Sequence, residues 1–224
     1  MRISFTDQRL TAHGGMVVWS QFLHQSAFRT QLAQVLPHAP KSNHAYDPAD
    51  VALGFLGGIL SGADKLSRIA YLRQDPAITQ VLGIEAVPSQ STLSRFLATF
   101  RQSTSEGLTA LHRWAARRLP SEREGYTLDL DSSALQHEDG HQEGVRVGYT
   151  KQGLKPCHRP LVAALAEGQL IANFWLRRGD AACVNHAAGF VRSTLAGLPA
   201  HIRIALVRAD GGFCSREFLD ALRE

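Results

Sequence analysis

The segment Tyr126-Thr-Leu-Asp-Leu-Asp131 limits the possible folds more than any other part of the chain. Its apolar and polar residues alternate strictly. With the two-residue period of a strand, Leu128 and Leu130 face one way, and Asp129 and Asp131 face the other. More strands follow. Pro160 to Ala166 and Leu170 to Leu176 are apolar runs joined by a tight turn at Glu167-Gly168. Asn185 to Leu198 reads as an amphipathic helix carrying Phe190, Val191, Leu195 and Leu198. Ile202 to Val207 is a short strand ending at Arg208-Ala-Asp210-Gly-Gly-Phe, and Ser215 to Leu222 begins another helix. Residues 136–159, rich in Gly, Lys, His and Gln, read as a loop or a ragged hairpin. Three strands, a helix, a strand and a helix make an α/β layout with at least one parallel crossover.

The front half reads as helices. Asp47-Pro48 has the form of an N-cap followed by a first-turn proline. Val51, Leu53, Phe55, Leu56, Ile59 and Leu60 then make a helix apolar nearly all round, with Gly54, Gly57 and Gly58 permitting close packing. Asp64 to Leu72 continues at helical spacing. Asp75-Pro76 starts a short helix that Gly83 ends. Ser89 is a candidate N-cap for a helix with the stripe Leu93, Phe96, Leu97 and Phe100. The segment at about 76–101 has the layout of a helix-turn-helix, and Thr92, Ser94, Arg95 and Arg101 lie off the apolar stripe, available to DNA. The other reading of these residues is a capped core helix with a polar face. Residues 105–119 form a further helix, where Arg113, Arg117 and Arg118 also suit the macrodipole. Pro120 and Ser-Glu-Arg-Glu-Gly make a boundary, so we expect a helical region over 1–120 and a sheet-bearing region over 121–224.

The chain has 224 residues, 44% of them hydrophobic and 20% charged, which suits one large or two small globular domains and argues against disorder. No apolar run is long enough for a transmembrane helix. The start, Met1-Arg-Ile-Ser-Phe-Thr-Asp, lacks a signal core, so the expectation is a cytoplasmic protein with no membrane partner. Cys157, Cys183 and Cys214 form neither a disulfide framework nor a CxxC pair. Residues 1–120 carry 12 Lys and Arg against 7 Asp and Glu, while 121–224 carry 12 against 13. A basic front half suits a polyanionic partner, although the same surplus also serves solubility.

Asp131 closes the first strand, and Asp210 follows the last. If these strands are neighbours, their carboxylates meet in a hard-oxygen site for Mg²⁺ or Mn²⁺. Two such ions can activate the attacking oxygen and stabilise the leaving one in phosphodiester cleavage. Gly211 and Gly212 would let backbone approach a substrate. The plainer reading is a strand-to-helix turn. His137-Glu-Asp-Gly-His141 matches the HExxH zinc-protease pattern, yet contains Asp139 and Gly140 where a stable helix is needed. Arg178-Gly179-Asp180, an adhesion tripeptide in form, reads as a turn.

Four motifs occur in order: Leu128-Asp-Leu-Asp-Ser-Ser133, Gln142-Glu-Gly-Val-Arg-Val-Gly-Tyr149, Ala172-Asn-Phe-Trp-Leu-Arg-Arg-Gly-Asp180 and Val207-Arg-Ala-Asp-Gly-Gly-Phe213. Together they resemble bacterial insertion-sequence transposases of the DDE type, and the resemblance extends forward through Pro88-Ser-Gln-Ser-Thr-Leu-Ser-Arg-Phe96. It implies an α+β chain in which a helical N-terminal DNA-binding region precedes a ribonuclease-H-like mixed β-sheet. It implies two metal ions, cleavage at terminal inverted repeats, strand transfer into target DNA, a homo-oligomer on DNA and a place at the bacterial nucleoid. Asp131 matches the first catalytic aspartate, with Ser133 where threonine is usual, and Asp129 is the competing assignment. Asp210 matches the second. The third acidic residue of the family, a glutamate on a later helix, has no match, because Glu217 and Glu224 follow Asp210 too closely. The stop at Glu224 without glycine cap or proline leads us to expect a truncated chain with an incomplete core, and DNA cleavage by a longer relative only. The alternative is a non-catalytic DNA-binding protein derived from a transposase. A zinc hydrolase built on His137 and His141 is the third reading.

Overall fold

The computed structural model describes residues 10–37, 45–120, 124–138 and 141–223, apart from the side chains of Gln102 and Glu106. The chain divides into two compact units, Met1–Phe100 and Arg101–Glu224.

The first unit is helical: α1 (Val17–Ser26), α2 (Phe28–Val35), α3 (Pro48–Leu60), α4 (Leu66–Tyr71), α5 (Ile78–Leu82) and α6 (Gln90–Leu97). Local chemistry sets its boundaries. Asp47 accepts from the Ala49 N–H at 2.8 Å and starts α3. Gly83 ends α5 at φ 67°. Ser89 accepts from the Thr92 N–H at 3.2 Å and starts α6. The α3 glycines do admit close neighbours: a Cβ on Gly57 would stand 2.4 Å from Leu82 Cδ2, and one on Gly58 would stand 2.5 Å from Ile69 Cγ1. The carboxylate of Asp50, buried within α3, binds the Arg29 guanidinium of α2 and accepts from the Glu85 N–H at 2.9 Å. On α6, Leu93 and Phe96 are buried, but Leu97 is 36% exposed. The apolar stripe is therefore narrower than the sequence suggests, because α3 and α4 cover only one side of this helix.

The second unit begins with α7 (Gln102–Gly107) and α8 (Thr109–Ala116), where the sequence predicts one helix over 105–119. The break follows Gly107, a weak helix former. Helix α8 packs against β6, and Leu119 just beyond it packs on the sheet's core, so residues 101–120 belong with the sheet and not with the helical region to which the 120 boundary assigned them. The strands are β1 (Tyr126–Asp131), β2 (Leu135–Gln136), β3 (Arg146–Thr150), β4 (Gly153–His158), β5 (Leu161–Leu165), β6 (Leu170–Trp175) and β7 (Ile204–Ala209). Helix α9 (Ala187–Gly197) joins β6 to β7, and α10 (Arg216–Ala221) follows.

A four-stranded mixed sheet has the order β6-β5-β1-β7, with β1 antiparallel to β5 and parallel to β7. Leu128 and Leu130 of β1 enter a core with Leu161, Leu165, Phe190, Val191, Phe213 and Phe218, as the alternation requires. Buried Asn173 of β6 donates to Thr194 of α9 at 3.0 Å, fixing helix to sheet. In β7, Ile204 pairs with Tyr126 but Leu206 pairs with Thr127, so Ala205 is an extra, bulged residue. Glycine at 125 makes room for it, since a Cβ there would lie 2.5 Å from that of Ala205. Strands β2, β4 and β3 form a separate three-stranded sheet from the stretch read as loop or ragged hairpin. Its β3–β4 turn is Lys151-Gln152, and Gly148 packs so closely on Gly179 that a Cβ would stand 2.0 Å from its carbonyl oxygen.

Candidate active site

Strand β1 delivers Asp131 at its C-terminal end, and β7 delivers Asp210 one residue past its own. Paired positions run Asp129 with Arg208, then Leu130 with Ala209. Asp210 keeps an extended backbone (φ −74°, ψ 169°), so Asp131 and Asp210 each follow directly on Leu130 and Ala209, the last pair of the two strands. Neighbouring strands lie about 4.8 Å apart, and side chains at paired positions share a face. Both carboxylates are exposed. Each is held by one oxygen: Ser133 Oγ donates to Asp131 Oδ2 at 2.7 Å, and the Gly212 N–H donates to Asp210 Oδ1 at 2.8 Å. Among the described residues, the second oxygen of each has no protein donor.

Asp129 is in a different state. Arg208 Nε and Nη2 donate to its Oδ1 and Oδ2, both at 2.6 Å. This planar fork satisfies the carboxylate, and the hydrogen bonding and charge of Asp129 raise the pKa of the guanidinium. Asp129 is thus neutralised, whereas Asp131 on the same strand face is not.

Sequence reasoning missed the support behind Asp131. Arg177 is buried and donates to Ser132 Oγ at 2.9 Å, to the Arg159 carbonyl at 3.0 Å and to those of Ala182 and Asn185 at 2.9 and 2.6 Å. Burial lowers its pKa; Cys183 works against this, and the like charge of Arg159 adds to it. An arginine in a charged loop gives no sequence signal that it will be buried. Cys183 also borders the site: a Cβ on Gly212 would stand 3.3 Å from its Sγ and 3.0 Å from Asp210 Oδ1.

Two carboxylates with free oxygens suit a hard cation that keeps several waters. The described residues contain no group of three or more His, Cys, Asp and Glu placed to share a metal. Glu217 is exposed on α10, and Glu224 lies outside the described residues. The zinc-protease reading fails on geometry. His137 and His141 lie in no helix, and Asp139 and Gly140 are outside the described residues. His137 Nε2 instead meets His158 Nδ1 at 2.8 Å, and His158 Nε2 meets the Glu143 carbonyl at 2.8 Å.

The predicted DNA-facing residues differ in their surroundings. Ser94 and Arg95 are exposed on α6. Thr92 is half-buried, and its hydroxyl lies 2.9 Å from Ser89 Oγ, so it serves the N-cap. Arg101 is exposed, and its N–H and carbonyl engage Thr104 Oγ1 at the start of α7. Arg118 stacks 3.7 Å over the Trp114 ring and donates to the Trp114 carbonyl, a local role in holding the helix end.

Helices around a mixed sheet, with carboxylates closing two adjoining parallel strands, define the protein as an α+β type with a strand-end acidic pair. The family described as Transposase DDE domain group 1 matches residues 1–224, and the chain belongs to this family. No curated protein and no solved structure matches it. DDE transposases cleave and transfer DNA strands, generally with divalent metal ions such as Mg²⁺, on a ribonuclease-H-like domain. Among the described residues no helix is long and apolar enough to cross a membrane.

Proposed function

We propose that this protein is the transposase of an insertion sequence, acting on terminal inverted repeats, with Asp131 and Asp210 as its first two catalytic carboxylates. One observation supports the reading: β1 and β7 are paired in parallel through Leu130 and Ala209, the residues just before Asp131 and Asp210, each of which has one oxygen without a donor among the described residues, while Arg208 occupies both oxygens of Asp129. A pair of Mg²⁺ or Mn²⁺ ions, when bound, supplies activation of the attacking oxygen and stabilisation of the leaving one. Asp131 and Asp210 would hold such ions, Ser133 and the Gly212 N–H orient the two carboxylates, and Gly211-Gly212 gives the DNA backbone close access. The helical front region binds the repeats, with Ser94 and Arg95 of α6 and the side chain of Arg101 meeting DNA. Two copies of the chain pair two ends.

Metal binding is the property to test, since two rather than three family carboxylates are matched here. Mn²⁺ binding followed by electron paramagnetic resonance is expected to weaken at least about tenfold in Asp131→Asn and in Asp210→Asn, and to persist in Asp129→Asn. Equal Mn²⁺ affinity in all three variants, or loss in Asp129→Asn alone, overturns the assignment.

A further inference from the structure

The chain after Asp131 runs into a cavity of about 430 Å³ whose wall mixes apolar surface with polar and basic side chains. Ser132 and Ser133 form part of its wall; Thr150, Lys151 and Gln152 of the β3–β4 turn form another part, and Arg159 joins them. No carboxylate lines it. Among the described residues, Lys151, Arg159 and Arg177 have no acidic partner, although the acids of this unit pair with other arginines nearby, Asp129 with Arg208 and Asp180 with Arg178. Arg159 is also incompletely satisfied. Its Nη2 donates to the Tyr149 carbonyl, but its Nε is buried without a hydrogen-bond partner. A buried N–H left unpaired is costly, and on a guanidinium the natural acceptor is an oxyanion, which the planar fork fits. Lys151 adds a point charge from an exposed turn.

We propose that this cavity is an oxyanion subsite that takes a backbone phosphate of the DNA strand lying across Asp131, with Arg159 and Lys151 as its ligands. The inference rests on the transposase reading and adds the place where the small three-stranded sheet grips the substrate. The turn of that sheet carries Lys151 to the site, and its β4 strand leads through His158 to Arg159.

The experiment measures binding of a fluorescein-labelled mixed-sequence DNA duplex by anisotropy, in Ca²⁺, between about 50 and 200 mM salt. Lys151→Gln, at an exposed turn, and Arg159→Gln are compared with the unaltered chain. Each variant is expected to lose affinity severalfold, and its log–log salt slope is expected to fall by roughly 0.9, the value for one phosphate contact. Unchanged affinity and slope in Lys151→Gln overturn the subsite while leaving the transposase reading intact, provided Mn²⁺ binding still depends on Asp131 and Asp210. If the unaltered chain binds no duplex at any salt, both fall. Inorganic phosphate is the second probe. If it raises the melting temperature of the unaltered chain but not of Arg159→Gln, and both variants bind DNA normally, the occupant is a free anion and the assignment to DNA is wrong.

Discussion

Replacing Gly58 by alanine sets two effects of known size against each other. In a helix interior alanine is favoured over glycine by about 1 kcal/mol, which alone would stabilise α3. The new Cβ, however, would stand 2.5 Å from Ile69 Cγ1, 2.7 Å from Cγ2 and 3.0 Å from Cβ. Carbon atoms rest at about 3.5–4.0 Å, so all three contacts are too short. Ile69 cannot swing clear: it is 2% exposed, and a β-branched side chain in a helix holds one χ1 rotamer. Helices α3 and α4 must separate instead. Overpacking of this kind costs about 1–3 kcal/mol, and the close base of the Ile69 side chain places it in the upper part of that range. The net expectation is a loss of about 1–2 kcal/mol, which lowers the urea midpoint by roughly 0.5–1 M at an ordinary m-value. Far-UV circular dichroism during urea unfolding reads it. Ile69→Ala removes Cγ1 and Cγ2, so the double variant should be less destabilised than the two single losses combined, with a coupling of at least about 1 kcal/mol. Higher stability in Gly58→Ala, or strict additivity with Ile69→Ala, would refute the close-packing argument.

Two further outcomes are expected. Asp50→Ala strands the Glu85 N–H and releases Arg29, whose side chain is 40% exposed and so contributes little itself; the loss should be about 2 kcal/mol by urea unfolding, and a change under about 0.5 kcal/mol would show that Asp50 does not tie α3 to the turn before α6. Burial lowers the pKa of His112, whose Nδ1 has no partner. The unfolded chain therefore takes up the proton first, and stability should fall as pH drops below 6.5 toward the lower folded value. His112→Gln should flatten that part of the pH–stability curve, and an unaltered slope would remove His112 as its source.

Features set by neighbours in sequence were legible without the structure. The caps at Asp47 and Ser89 and the stop at Gly83 depend on local hydrogen bonds and on one positive φ. The alternation of β1 carried both its core face and its acidic face. The small sheet was less visible, because Gly148, Gly153 and Pro156 interrupt the pattern and its partners are fixed by a close backbone approach at Gly179. The boundary at Pro120 reflects a real change of composition, but helix α8 lies against β6, a long-range contact that composition does not encode. At the site, spacing suggested Asp131 and Asp210 but left Asp129 as a rival. Only the register brings Arg208 opposite Asp129, the pairing on which the proposed choice of Asp131 rests. Arg177 stayed hidden because its burial depends on the carbonyls of Arg159, Ala182 and Asn185.

The bulge at Ala205 also has an evolutionary consequence. As the one β7 residue opposite no β1 partner, it works as slack. Removing it would bring Ile204 and Leu206 into consecutive pairing with Tyr126 and Thr127 and would leave every later pair, Arg208 included, where it is. A deletion between Leu206 and Ala209 can draw on that slack only by sliding Ala205 and its neighbours onto new partners with their side chains turned over; without that slide it turns the following side chains to the opposite face. The two halves of this six-residue strand are therefore under different rules for length change, more tolerant at the end that leaves α9 than at the end that leads to Asp210.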